Sequence, residues 1–178
     1  MTLKHLSTIA CAILLFSCAK TSTAQVKITG EITNPKGELV TFNQKDTSYT
    51  TTLNENGTFS ISFNLDSATY LFFEHGVENT AMYVNPGDKI KLTIDTELFD
   101  ETIKYDGSSS STFLAKKYLI TEENDFFGQV FYMSTAEQYS KVLEDFKTTV
   151  ITKFGDISDS RFIKNEITEI DKSIAYFI

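Results

Sequence analysis

From residue 26 to residue 105 the chain runs in short stretches that alternate apolar and polar side chains, broken by turn residues. This pattern leaves few folds open. Successive side chains of a strand point to opposite faces, so an alternating stretch buries one face and wets the other, and turns spaced roughly every eight to twelve residues fold such strands onto one another. Val26-Lys27-Ile28-Thr29-Gly30-Glu31-Ile32-Thr33 opens the series, and Thr58-Phe59-Ser60-Ile61-Ser62-Phe63 is its cleanest alternation. Between them lie stretches at 38–45, which carries Leu39, Val40 and Phe42, and at 46–53, which is Thr-rich and suits an edge. Further stretches follow at 69–74, 81–84, 89–94 and 102–105.

The turns between them have defined chemistry. Asn34-Pro35-Lys36-Gly37 sets φ through its proline. Asn56-Gly57 offers two residues tolerant of positive φ, the requirement of a type I′ hairpin turn. Asn85-Pro86-Gly87-Asp88 places Pro86 and Gly87 at the central positions of a type II turn. Gly57, Pro86 and Gly87 are therefore expected to be structural turn residues.

After Asp106-Gly107 the period changes from two to three and four. Residues 108–112 supply an N-cap for a helix carrying Phe113, Leu114 and Tyr118. Tyr139, Val142, Leu143, Phe146, Val150 and Phe154 form one face of a second helix. Ile163, Ile167, Ile170, Ile174 and Phe177 form that of a third, beginning near residue 160. The expected fold is thus mainly β, then α: an antiparallel β-sandwich or partly closed barrel of seven or eight strands, followed by about three helices. The terminal Ile174-Ala175-Tyr176-Phe177-Ile178 is apolar with no stop signal, so the helical region reads as truncated, its last residues wanting a neighbour.

The first residues read as an address. Lys4 precedes a mostly apolar run at 6–16, too short to cross a bilayer core of ~30 Å at ~1.5 Å per residue and suited to a secretory signal. Leu15-Phe16-Ser17-Cys18 resembles a lipobox, with Phe16 where a smaller residue is usual; Cys18 would then be acylated and anchor the chain to a membrane facing the periplasm. Ser22-Thr23-Ala24 offers the alternative of cleavage after Ala24 and a soluble periplasmic protein. The divisions expected are 1–17 signal peptide, 18–25 tether, 26–106 β domain and 107–178 helical region.

This address decides much of the chemistry. The only cysteines are Cys11 and Cys18, so the processed chain has no thiol for a disulfide, a thiolate metal site or redox exchange. A net charge of −8 with no basic stripe excludes nucleic acid as a partner. His75, the histidine beyond the signal segment, sits in Glu74-His75-Gly76 and is expected in an exposed loop. The serines at 108–111 lack the glycines of a nucleophile elbow and read as a capping loop. Glu122-Glu123-Asn124-Asp125 lacks the alternating ligand spacing of a calcium loop and reads as a solvated acidic segment between helices. No catalytic residue, cofactor site or metal site is assigned.

Taken in order, the lipobox, Ile28-Thr29-Gly30-Glu31-Ile32, Asn56-Gly57-Thr58-Phe59-Ser60, Asn85-Pro86-Gly87-Asp88 and Asp106-Gly107-Ser108 resemble the N-terminal accessory region of envelope thioredoxin-like thiol-disulfide oxidoreductases of the TlpA/ResA group. The resemblance spans 26–178. It implies a β-sandwich and helical linker preceding a redox domain with a Cys-x-x-Cys site, which this chain lacks, and hence a non-catalytic accessory module. The partners it implies are a thioredoxin-like domain or another envelope protein. The alternative is a free-standing envelope lipoprotein that binds a ligand or partner on its β surface.

Overall fold

The computed structural model describes residues 24–124, 129–155 and 157–177. Residues 1–17, expected to be a signal peptide, and Cys18 lie outside the described residues. Eight strands come first: β1 (Ala24–Thr33), β2 (Leu39–Gln44), β3 (Thr47–Thr52), β4 (Thr58–Leu65), β5 (Thr69–His75), β6 (Glu78–Val84), β7 (Lys89–Asp95) and β8 (Lys104–Asp106). A 3-10 turn at Thr96–Leu98 and the short α1 (Phe99–Thr102) precede β8. Then come α2 (Ser109–Glu123), α3 (Gln129–Met133), α4 (Ala136–Thr152) and α5 (Ser160–Phe177). The broad order, β then α, is the expected one; the short α1 and α3 raise the helix number above the three expected.

The strands form two separate four-stranded sheets, ordered β4-β1-β7-β8 and β3-β2-β5-β6. Their facing side chains share one core, in which Val26, Ile28, Ile90 and Leu92 of the first sheet meet Val40, Phe42, Leu71, Phe73 and Met82 of the second. The Phe42 and Phe59 rings touch across the gap at 6.1 Å between centroids. Each such side chain, fully buried, contributes about 1.5–3 kcal/mol.

The pairing is not antiparallel throughout. β1 pairs antiparallel with β4 but parallel with β7, Ile28 opposite Ile90 and Ile32 opposite Ile94. A parallel pair needs a long crossover. Here everything from β2 to β6 serves as that crossover, including the whole of the second sheet.

The β3–β4 turn does not close the expected hairpin, because β3 and β4 belong to different sheets, and its dihedrals are not those of a type I′ turn. Gly57 has φ +76°, but Asn56 is not among the described residues at positive φ. The Asn56 side-chain carbonyl accepts from the Thr58 hydroxyl and N–H at 2.7 and 3.3 Å, holding its own backbone in the ordinary region. The Gly57 N–H instead closes a turn on the Asn54 carbonyl at 2.9 Å, and Gly57 alone takes the left-handed position. At the second turn Gly87 has φ +88°, and the Asp88 N–H reaches the Asn85 carbonyl at 3.1 Å.

Helix α2 finishes one open side of the sheet pair. Ser108 caps it, its hydroxyl accepting from the Ser111 N–H. Ser111 in turn accepts from the Tyr83 N–H and donates to the Tyr83 carbonyl, both at 3.0 Å, satisfying the edge of β6 as a neighbouring strand would. The helix also lies along β8, where the Thr112 hydroxyl is 3.3 Å from the Tyr105 carbonyl. Its Ala115 joins the inter-sheet core, while Phe113 and Leu114 join a second one.

That second core lies between the outer face of the second sheet and the helices. Tyr83 of β6 packs there with Tyr139, Leu143 and Val150 of α4 and with Phe162, Ile170 and Ile174 of α5. Thr135 and Gln138 form a reciprocal capping box at the start of α4. The buried face of α5 runs Phe162, Glu166, Ile170 and Ile174, at a spacing of four, with Ile163 and Ile167 only partly covered. The expected stripe is thus rotated and packed within the chain as far as Ile174. The side chain of Phe177, and Ile178 altogether, lie outside what is described.

Candidate functional site

On the outer face of the second sheet, β5 presents Tyr70, Phe72 and Glu74, and β6 presents Asn79 and Ala81. Helix α2 crosses beside them, and α5 closes the far end. The seam holds two adjoining clefts that share Ala81, Leu114 and Lys117. The outer one, about 320 Å³, is lined further by Phe72, Asn79, Tyr118 and Thr121. The inner one, about 580 Å³, runs on to Tyr70, Asn165, Glu166, Glu169 and Lys172. Phe72 and Tyr118 stand half exposed at the outer mouth, 49% and 46% accessible, so the trough offers two aromatic faces beside amide and hydroxyl groups.

At the floor of the inner cleft is a buried ionic cluster. Glu166 is 3% exposed. One of its carboxylate oxygens accepts from the Tyr70 hydroxyl at 2.6 Å, the other from the Lys117 ammonium at 2.7 Å. Both are charge-assisted bonds, which repay the desolvation of a buried carboxylate only when the geometry is this close. Burial, then the bond to Glu166, pushes the Tyr70 hydroxyl well above the ordinary tyrosine range, so it stays a donor at any physiological pH. The Tyr70 ring meets Tyr83 edge-on at 4.9 Å, and Tyr83 meets Phe162 at the same distance. Among the described residues the Tyr83 hydroxyl has no hydrogen-bond partner, and burial raises its pKa too.

None of these residues was singled out from the sequence. A signal for Glu166 exists: it lies four residues after Phe162 and four before Ile170, so a helix that buries both must bury the glutamate between them.

His75 is not the exposed loop residue expected. It ends β5 and is 1% exposed. Its Nε2 accepts from the Lys36 N–H at 3.0 Å, and its Nδ1 lies 2.8 Å from the Leu39 carbonyl. An N–H can only donate and a carbonyl only accept, so the partners dictate a neutral ring protonated at Nδ1. Both nitrogens hold the β1–β2 connection to the sheet, and neither is free for a substrate or a metal.

The serines at 108–111 are likewise committed: Ser108 and Ser111 cap α2 and the edge of β6. A further cleft of about 700 Å³ beside them is lined by Ser109, Thr112, Lys116, Lys153 and Phe154 among others. Glu122 and Glu123 belong to the last turn of α2 and Asn124 is its C-cap, so they end a helix rather than form a loop; Asp125 lies outside the described residues. Among the described residues, no group of three or more His, Cys, Asp or Glu is arranged to hold a metal ion, and no helix is long and apolar enough to cross a membrane. Compared with protein-family models, with curated proteins and with solved structures, the chain matches none.

Proposed function

We propose that this chain is a non-catalytic interaction module of an exported lipoprotein: a β-sandwich with a helical linker region, of the kind that accompanies thioredoxin-like oxidoreductases of the TlpA/ResA group, anchored through Cys18. The observation that carries the reading is the trough along the seam of the second sheet and α2. Half-exposed Phe72 and Tyr118 flank Asn79 and Thr121, an arrangement suited to holding a partner segment by ring contact and hydrogen bonds. The ionisable groups deeper in the trough are already bonded to each other: Lys117 and Glu166 shape the floor and have no spare role as base or nucleophile. Both cysteines of the chain fall in its first 18 residues, so residues 19–178 carry no thiol.

Site-specific photocrosslinking in intact cells tests the proposal. A benzoylphenylalanine replacing Tyr118 should give a discrete adduct with one envelope protein, while the same group replacing the exposed Lys91 of β7 gives none. Equal labelling at the two positions, or none at 118, refutes a partner surface here. Reduction of insulin above background by the purified chain refutes the non-catalytic assignment.

A further inference from the structure

The two open sides of the sheet pair are finished differently. One is closed by α2 along β6 and β8. On the other side β3 and β4 are the outermost strands of the two sheets, tied to each other through their inner side chains: the Thr51 hydroxyl lies 3.3 Å from the Ser60 carbonyl, and the Tyr49 and Phe63 rings stack at 4.0 Å. Strands β2, β3 and β4 contain no charged residue, whereas each of the other five contains at least one. Within 39–65 the only charges, Lys45, Asp46 and Glu55, all sit in the connecting turns. Edge strands are ordinarily guarded against pairing by lysines, prolines or bulges. β3 is Thr47-Ser48-Tyr49-Thr50-Thr51-Thr52, has none of these, and keeps an unbroken register with β2 over its whole length.

The register also says which backbone groups are free. A two-residue turn at Lys45-Asp46 makes Gln44 and Thr47 an exchanging pair, so Phe42–Tyr49 and Val40–Thr51 follow as exchanging pairs. The Leu53 N–H bonds to the Glu38 carbonyl at 2.8 Å, continuing the same phase. The N–H and C=O groups of Ser48 and Thr50, and those of Thr52, therefore point out of the sheet, and their side chains are exposed.

We propose that β3 is a self-pairing edge, to which a second copy of this chain adds its own β3 antiparallel, centred on Thr50. The two four-stranded sheets then become one of eight strands. Thr50 faces its counterpart and Ser48 faces Thr52, each pair exchanging both backbone bonds, with hydroxyl side chains matched across the seam. A second copy is the occupant that fits. Each copy carries a net charge of −8, so two copies approach at least cost along an edge that carries no charge, and a basic partner finds no carboxylate there to meet. A two-fold pairing closes at the dimer and leaves no further β3 edge exposed.

Light scattering of the full chain in mild detergent, across tens to hundreds of micromolar, tests this against the variant Thr50→Lys. The wild type should reach a dimer, and the variant should dimerise at least tenfold more weakly, while at dilutions where both are monomeric the two melt at the same temperature, because position 50 is exposed. A second measurement uses Thr50→Cys: paired strands bring the two α-carbons to about 5.5 Å, within disulfide reach, so oxidation should link copies through this position and not through Lys91→Cys. A wild type monomeric throughout the range, a dimer indifferent to Thr50→Lys, or equal crosslinking at 50 and 91 would each overturn the proposal.

Discussion

Lys117→Met and Glu166→Met delete the same ion pair, yet they are expected to cost different amounts. The Glu166 side chain is 4% exposed and that of Lys117 is 25% exposed. Removing the lysine strands a carboxylate in the core with Tyr70 as its remaining donor, a loss of about 3–5 kcal/mol by analogy with other broken buried pairs. Removing the glutamate frees an ammonium that can reach water along its flexible stem, and methionine fills most of the vacated volume. What is lost then is chiefly the acceptor of the Tyr70 hydroxyl, about 1–3 kcal/mol. The expected gap is about 2 kcal/mol, with Tyr70→Phe falling between, at about 1.5–3 kcal/mol for one bond to a charged group. Urea denaturation followed by far-UV circular dichroism and tyrosine emission measures all three, since the chain has no tryptophan. An unchanged slope with denaturant would show that stability moved without a change in the compactness of either state. Glu166→Met should also bring the Tyr70 hydroxyl back toward the ordinary range, because the bond to Glu166 is the largest contribution after burial. Equal costs for Lys117→Met and Glu166→Met, or a larger cost for the latter, would refute the burial argument.

Two further outcomes are expected. Gly57→Val and Gly87→Val should each cost at least about 1 kcal/mol through positive φ, seen as a lower melting temperature; Gly57→Val should cost more, because a Cβ there also meets the Ile32 carbonyl oxygen at 2.8 Å. Asp95 is held below its ordinary range by the Glu97 N–H and then by the Asn34 amide. Folding thus favours its carboxylate: that contribution is complete above the unfolded value and is lost as pH falls through the lowered one. Asp95→Asn should therefore flatten the acid limb of a stability-against-pH curve and leave the alkaline limb unchanged.

What the sequence disclosed follows from what its patterns encode. Alternation marks a strand and its buried face, so the stretches around Phe59 and Phe63 or Ile90 and Leu92 were legible with their inward residues. Alternation does not encode a strand's partner, and the parallel meeting of β1 with β7 left no local trace. His75 shows a readable signal overridden by a weaker one. Leu71, Phe73 and His75 alternate on one face of β5, and counting by two places the imidazole inside, whereas its neighbours Glu74 and Gly76 suggested a loop. The trough was illegible for a different reason. It arises where α2 and α5 meet β5 and β6, and Tyr70, Lys117 and Glu166 come together only through tertiary packing.

The parallel union of β1 and β7 bears on how the chain reaches its native state. β1 is central to the first sheet, yet one flank stays unpaired until residues 89–95 arrive, as when Lys27 meets Lys89. Closing so large a loop is paid in entropy before any pairing rewards it, and topologies rich in such distant contacts fold slowly. The first ten residues of the fold are therefore among the last to be secured. A chain that stops short of β8, at residue 106, has no complete first sheet to settle into, so this sheet is completed late.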